Sequence, residues 1–167
     1  YLAQIRYQLL RNQLIASLTL THCGSTPIPY GCGFHPFFSF DKRSTVQFAA
    51  SGYWPEGEQH LPLNWQSHLP GYADFSHPQY GEDRWLNVGY SGWSGRARIV
   101  SNVMNIAILS QTSWLMLFRM QGEPFLCLEP QTHPVNAHNM DGQPGLRVLG
   151  TGDTLNFSLK IDVQGRE

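Results

Sequence analysis

The chain reads as an all-β protein, a β-sandwich forming one domain over residues 1–167. Three observations predict this class. Short runs of alternating apolar and polar residues recur at near-regular spacing, the pattern of half-buried strands. Sixteen Gly and eleven Pro break the chain into pieces too short for long helices. No stretch carries the 3.6-residue apolar period of an amphipathic helix. A hydrophobic fraction of 41% over 167 residues is enough to build a sizeable core.

Taken in order, residues 1–10 alternate, with Ile5, Tyr7 and Leu9 on one face. Arg11-Asn12 suits a tight turn and residues 14–21 (LIASLTLT) return, so the chain opens on a β-hairpin. Residues 23–29 form a turn-rich link. Residues 35–40 are a short aromatic strand and 45–50 another. Residues 51–74 are a long irregular segment with Trp54, His60, Trp65 and His68. A loop of that length in a compact domain is commonly functional. Residues 85–100 return to β character, broken by Gly89, Gly92 and Gly95. Residues 103–109, 114–120 and 125–128 are three further strands. Residues 130–144 are a polar loop, and 146–149 and 154–162 close the chain around Gly150 and Gly152.

The bulk chemistry excludes several function classes. A net charge of −1 without a basic run argues against a nucleic-acid partner. No apolar run is long enough to span a bilayer, so no membrane partner is expected. Cys23, Cys32 and Cys127 are odd in number and lack CxxC spacing, which argues against a disulfide framework and a thiolate zinc site. They fit a reducing, cytoplasmic compartment. His133 and His138 stand five apart with no HExxH, so no metal site is expected. GxSxG, GxGxxG and P-loop patterns are absent, leaving nucleophilic and phosphate-loop chemistry without support.

Two stretches carry the candidate chemistry. In residues 31–38, His35 lies among Gly31, Gly33 and aromatic rings including Phe37, and Pro36 biases it towards an extended backbone. The glycines allow unusual backbone conformations or close approach. An imidazole gives or takes a proton near neutrality, although a lone histidine reads first as a core residue bonded to a carbonyl. In residues 125–130, an apolar strand delivers Glu129 just before Pro130. If it is buried there, its pKa rises; a solvated strand end is the equal alternative. In residues 91–96, Trp93 is either a platform for a sugar face or ordinary core. The candidate phosphate ligands are Arg84, Arg96, Arg98 and Arg119; Arg96 and Arg98 share a strand face, which more often reads as a solvated face.

These stretches together resemble the galactose mutarotase (aldose 1-epimerase) family, in its bacterial epimerase-like branch. Residues 29–38 (PYGCGFHPFF) are similar to its proline–glycine–histidine block. Residues 86–98 (LNVGYSGWSGRAR) resemble its aspartate–asparagine, then glycine–tryptophan–aspartate–glycine block. Residues 125–139 (FLCLEPQTHPVNAHN) resemble its glutamate block, and residues 145–153 (GLRVLGTGD) its closing turn. The resemblance implies the family's large antiparallel supersandwich fold and interconversion of α and β anomers of a free hexose, without metal or organic cofactor. It implies His35 as acid and Glu129 as base, with Asn87, Trp93, Phe37 and Arg96 around the sugar. Asn87 and Ser94 stand where the family has aspartates, and His22 where asparagine is common. The chain resembles the family's middle and C-terminal part. The family's N-terminal strands, an arginine and a second histidine have no counterpart here, so the sheets are expected to be completed by a further segment or by homo-oligomerisation. A non-catalytic carbohydrate-binding sandwich and a hexose-phosphate epimerase relative are the alternatives.

Overall fold

The computed structural model describes residues 1–80 and 83–166. Among the described residues, strand makes up 51% and helix 4%, so the all-β class holds. The strands are β1 (Leu2–Leu10), β2 (Gln13–Thr21), β3 (Ile28–Tyr30), β4 (Phe37–Ser39), β5 (Thr45–Phe48), β6 (Gly52–Trp54) and β7 (Gln79–Tyr80). They continue with β8 (Leu86–Ser91), β9 (Arg96–Val100), β10 (Met104–Ser110), β11 (Trp114–Arg119), β12 (Phe125–Gln131), β13 (Arg147–Leu149) and β14 (Thr154–Gly165). Glu58–His60 and Ala137–Asn139 are single 3₁₀ turns. Among the described residues, no helix is long and apolar enough to cross a membrane.

Two antiparallel sheets face each other. One has seven strands in the order β1-β2-β14-β10-β9-β5-β7, the other five in the order β4-β12-β11-β8-β6. A short β3–β13 ladder lies apart from both. The period-2 pattern explains the layering. On the seven-stranded sheet Ala16, Ala97, Ile99, Ile106, Ile108 and Leu159 point inward; on the other Val88, Tyr90, Leu115, Leu117, Leu126 and Leu128 meet them in one core. Each fully buried Leu or Ile contributes about 1.5–3 kcal/mol of transfer free energy. Trp93 joins this core, 3% exposed.

The structure departs from the sequence reading in the short elements. The expected link at 23–29 runs into β3, and the unanticipated β7 is only two residues long. The long segment 51–74 contains β6. The strand expected at 35–40 is confined to Phe37–Ser39. Strand β12 runs three residues past Leu128, through Pro130. A residue's N–H and C=O point to the same side of a strand. The Pro130 carbonyl accepts from Phe34 N at 3.1 Å. The proline's missing N–H therefore faces the β4 edge and not the central partner β11.

Strand β1 forms an edge of the seven-stranded sheet, and all nine of its residues are exposed. The expected opening hairpin is present, with Arg11 in the left-handed region at its turn (φ 55°).

Candidate active site

The outer face of the five-stranded sheet follows from strand register. Val88, Leu117 and Leu128 turn into the core, so their neighbours turn out. One row across the sheet is Asn87–Phe118–Cys127–Phe37; the next is Gly89–Met116–Glu129. Gly89 leaves that row open on the β8 side, where a Cβ would already touch Val135 at 3.2 Å. His35, His60, Asn87, Met116, Phe118, Glu129, Gln131 and Val135 line the resulting cavity, of about 330 Å³.

His35 reaches Glu129 because they fall opposite each other in an interrupted ladder. Phe37 pairs with Cys127, and Gly33 bridges Gln131. Counting two residues from either pair sets His35 against Glu129. Pro36 and Pro130 remove backbone donors on either side, so the two side chains meet where the ladder is open. The His35 Nε2–Glu129 Oε1 distance is 3.1 Å. Phe37, two residues on and on the same face, stacks on the His35 ring at 4.9 Å and 18°. The imidazole is half exposed (53%), while the carboxylate is 10% exposed.

That burial sets the electrostatics. Desolvation pushes the Glu129 carboxyl up to about 7. The neighbouring Cys127 thiol is pushed up to about 12, by burial first and then by the Glu129 charge. Cys127 therefore stays a neutral thiol near pH 7. The potential ligand atoms of His35, Cys127 and Glu129 all lie within 4.8 Å of one another. A metal there would need the buried thiol deprotonated, against both influences on it.

On the β8 side of the cavity, Asn87 is held by a group that sequence reading did not single out. Glu56 Oε1 accepts from Asn87 Nδ2 at 2.6 Å and contacts His60 Nδ1 at 2.5 Å, and its Oε2 accepts from Trp85 Nε1 at 2.6 Å. Burial raises the Glu56 carboxyl, but the bonds from Asn87, His60 and Trp85 outweigh it and hold the group below the usual range. Glu56 and His60 lie in the long segment flagged only by its length. The hydrogen-bond partners Trp85 and Asn87 are remote in sequence, so no local spacing could reveal the cluster.

The remaining candidates fall elsewhere. Trp93 is sealed in the core, its Nε1 donating to the Arg96 carbonyl at 3.0 Å, and does not line the cavity. The sequence pattern could not separate this outcome from a stacking platform. Arg96 alternates with the buried Ala97 and Ile99, so its side chain lies on the outer face of the seven-stranded sheet, where Arg96 and Arg98 line a separate groove. Gly31 and Gly33 are not at positive φ; close approach is their role. A Cβ on Gly31 would lie 1.9 Å from His133 Cδ2, and one on Gly33 3.0 Å from the Pro130 carbonyl. His22 is a buried structural histidine, between Tyr30 OH and the Thr26 carbonyl, each at 2.9 Å.

Comparison with known proteins agrees with this architecture. A model of the family described as aldose 1-epimerase matches residues 1–162. The uncharacterised Escherichia coli K12 protein YphB is 30% identical over 169 residues, covering 95% of this chain and 58% of that protein. A crystal structure of an Escherichia coli K12 protein provisionally assigned as an aldose 1-epimerase superposes with a TM-score of 0.93 at 28% identity, over 98% of this chain and 60% of the other. Galactose 1-epimerase from Lactobacillus acidophilus NCFM shares the fold, with a TM-score of 0.79 at 16% identity, over 99% of this chain and 57% of its own. The chain thus spans a little under three fifths of the length of these relatives. With the family's model matched along nearly the whole sequence, the chain belongs to the aldose 1-epimerase family.

Proposed function

We propose that the cavity is the acid–base half of a mutarotase site, interconverting the α and β anomers of a free hexose. The observation that carries this reading is the His35–Glu129 contact of 3.1 Å, with Asn87 on the same wall. Anomer exchange needs a base at the C1 hydroxyl and an acid at the ring oxygen, and both oxygens are bonded to one carbon. An acid and a base that touch in the empty site are spaced to straddle that carbon once a sugar separates them. Ionised Glu129 takes the hydroxyl proton, and protonated His35 delivers one to the ring oxygen as the C1–O bond breaks. The open aldehyde rotates about C1–C2. His35 then takes the proton from the C5 hydroxyl as that oxygen attacks the other carbonyl face, and Glu129 returns its proton to O1. Both groups end as they began.

Saturation-transfer NMR on glucose and galactose tests this directly. The chain should raise anomer exchange above the buffer background. Glu129→Gln and His35→Asn should each lower the rate about 10²- to 10⁴-fold, the range for losing a general acid or base. Unchanged rates in both variants would remove the pair. Sugar binding by the folded chain without exchange would favour a carbohydrate-binding sandwich, a reading that Asn87 in place of an aspartate also fits. A hexose-phosphate substrate is disfavoured, because Arg84, Arg96, Arg98 and Arg119 all lie outside the residues that line this cavity.

A further inference from the structure

Glu56 and His60 stand on the cavity's far side from Glu129, and proton exchange at C1 does not use them. Strand β11 separates β8 from β12 and Glu129 lies two residues beyond the Asn87–Phe118–Cys127 row, so Asn87 and Glu129 are anchored about 12 Å apart at the backbone. A pyranose held at C1 by Glu129 would bring its ring hydroxyls towards Asn87 across Met116 and Phe118.

The protons in this cluster are fixed by elimination. An ionised carboxylate only accepts hydrogen bonds. The Asn87 amide must therefore turn its NH₂ to Glu56, which leaves Oδ1 with no partner among the described residues. By the same rule His60 carries a proton on Nδ1, so in the neutral ring Nε2 is an acceptor. The loop is built to hold this arrangement. Gln59 (φ 55°) and His60 (φ 61°) are both in the left-handed region, a conformation that persists in such residues only where the surroundings enforce it. Gly57 N donates to the Leu61 carbonyl at 2.7 Å, Leu63 N donates to the Pro55 carbonyl at 2.8 Å, and Glu56 bridges Pro62.

We propose that Glu56 and His60 complete a subsite for two adjacent ring hydroxyls of the sugar. Glu56 turns Asn87 so that its Oδ1 accepts from one hydroxyl, and His60 Nε2 accepts from the next. This subsite rests on the reading of the cavity as a sugar site.

The test compares a hexose with its 3-deoxy and 4-deoxy analogues, in the parent chain, Glu56→Gln, Asn87→Asp and the double exchange. Anomer exchange gives kcat and KM, and isothermal titration calorimetry gives the dissociation constant. Glu56→Gln should lower kcat/KM for the parent hexose about 10- to 100-fold, mostly through KM, because a hydrogen bond set up by a charged group is lost. At least one deoxy analogue should be hardly affected, so discrimination collapses. Asn87→Asp should also impair binding, since it sets two carboxylates in contact. The double exchange should recover much of the loss, because amide and carboxylate trade places. Equal losses on all sugars, or none, in Glu56→Gln would overturn the subsite while leaving the mutarotase reading intact. Discrimination by binding without any exchange would keep the subsite and sink the mutarotase reading. A folded chain that discriminates no sugar by either measure would sink both.

Discussion

Burial on β12, beside neutral Cys127 and Met116, poises the Glu129 carboxyl near neutrality, where the proposed base would have to titrate. Its carboxyl is pushed from its ordinary 4.5 to about 7 by desolvation. If ionised Glu129 is the base, kcat/KM should rise about tenfold per pH unit below 7 and then pass through a maximum, giving a bell-shaped profile, because the same mechanism needs His35 protonated. A pH–rate profile checks this; an ascending limb centred near 4.5 would mean the carboxyl is solvated in the working protein. The same shift has a stability consequence. The folded state binds the extra proton between pH 4.5 and about 7, so this group's contribution is present below 4.5 and is lost as pH rises through 7. Glu129→Gln does not titrate. Its melting temperature relative to the parent should therefore climb between pH 4.5 and 7 and stay flat above, as read by calorimetry across that range. Residues of this kind were legible in the sequence where local chemistry isolates them: His35 and Glu129 each precede a proline and adjoin an apolar run. Glu56 was not legible, because its hydrogen-bond partners Trp85 and Asn87 come to it only through the fold.

At the level of elements, the segment that presents His35 depends on backbone closeness more than on strand propensity. Gly31 packs against the His133 ring so tightly that a Cβ would overlap it, and Leu146 Cδ2 lies 2.8 Å from the same point. Gly31→Ala should cost about 1–3 kcal/mol, the usual penalty for overpacking. His133→Ala opens the space, so the double variant should be less destabilised than the two single changes together predict. Urea unfolding of the four proteins measures the coupling, and strict additivity would show that the contact is not the cause. The glycine block drew notice in the sequence, but the intruding group did not, since His133 lies about a hundred residues away. The same contrast runs through the sheets. Strands β2, β8, β10, β11 and β14 were readable because each carries an alternating or largely apolar run of six or more residues. Strands β3, β6 and β7 hold two or three residues, too few for a period, and exist because a partner edge offers them bonds. Pro130 marked an end in the sequence but lies inside β12, because its missing donor faces the gap that the catalytic candidates occupy.

Across the whole molecule, the two sheets do not match in width, and the excess falls on β1. Ile5, Tyr7 and Leu9 stand opposite Leu18, Ala16 and Leu14 of β2. Directly opposed residues share a face, so this apolar row continues the side of the sheet on which Ala16 enters the core. The five-stranded sheet does not extend over it, leaving Ile5 54%, Tyr7 66% and Leu9 78% exposed. The outer edge of β1 also presents unpaired backbone groups along nine residues that include one charge, Arg6. Such an edge is a template for another strand. A further segment of a longer protein or another copy of the chain would close it. Alone in solution, the chain should therefore associate as its concentration rises, and light scattering after size exclusion should report species above 18.9 kDa. Leu9→Lys and Tyr7→Lys place charge on the exposed row, where substitutions cost within about 0.5 kcal/mol. Both should shift the distribution towards monomer without changing the fold seen by circular dichroism. A parent chain that stays monomeric up to high micromolar concentration would show that β1 is closed in a way its neighbours in this fold do not provide.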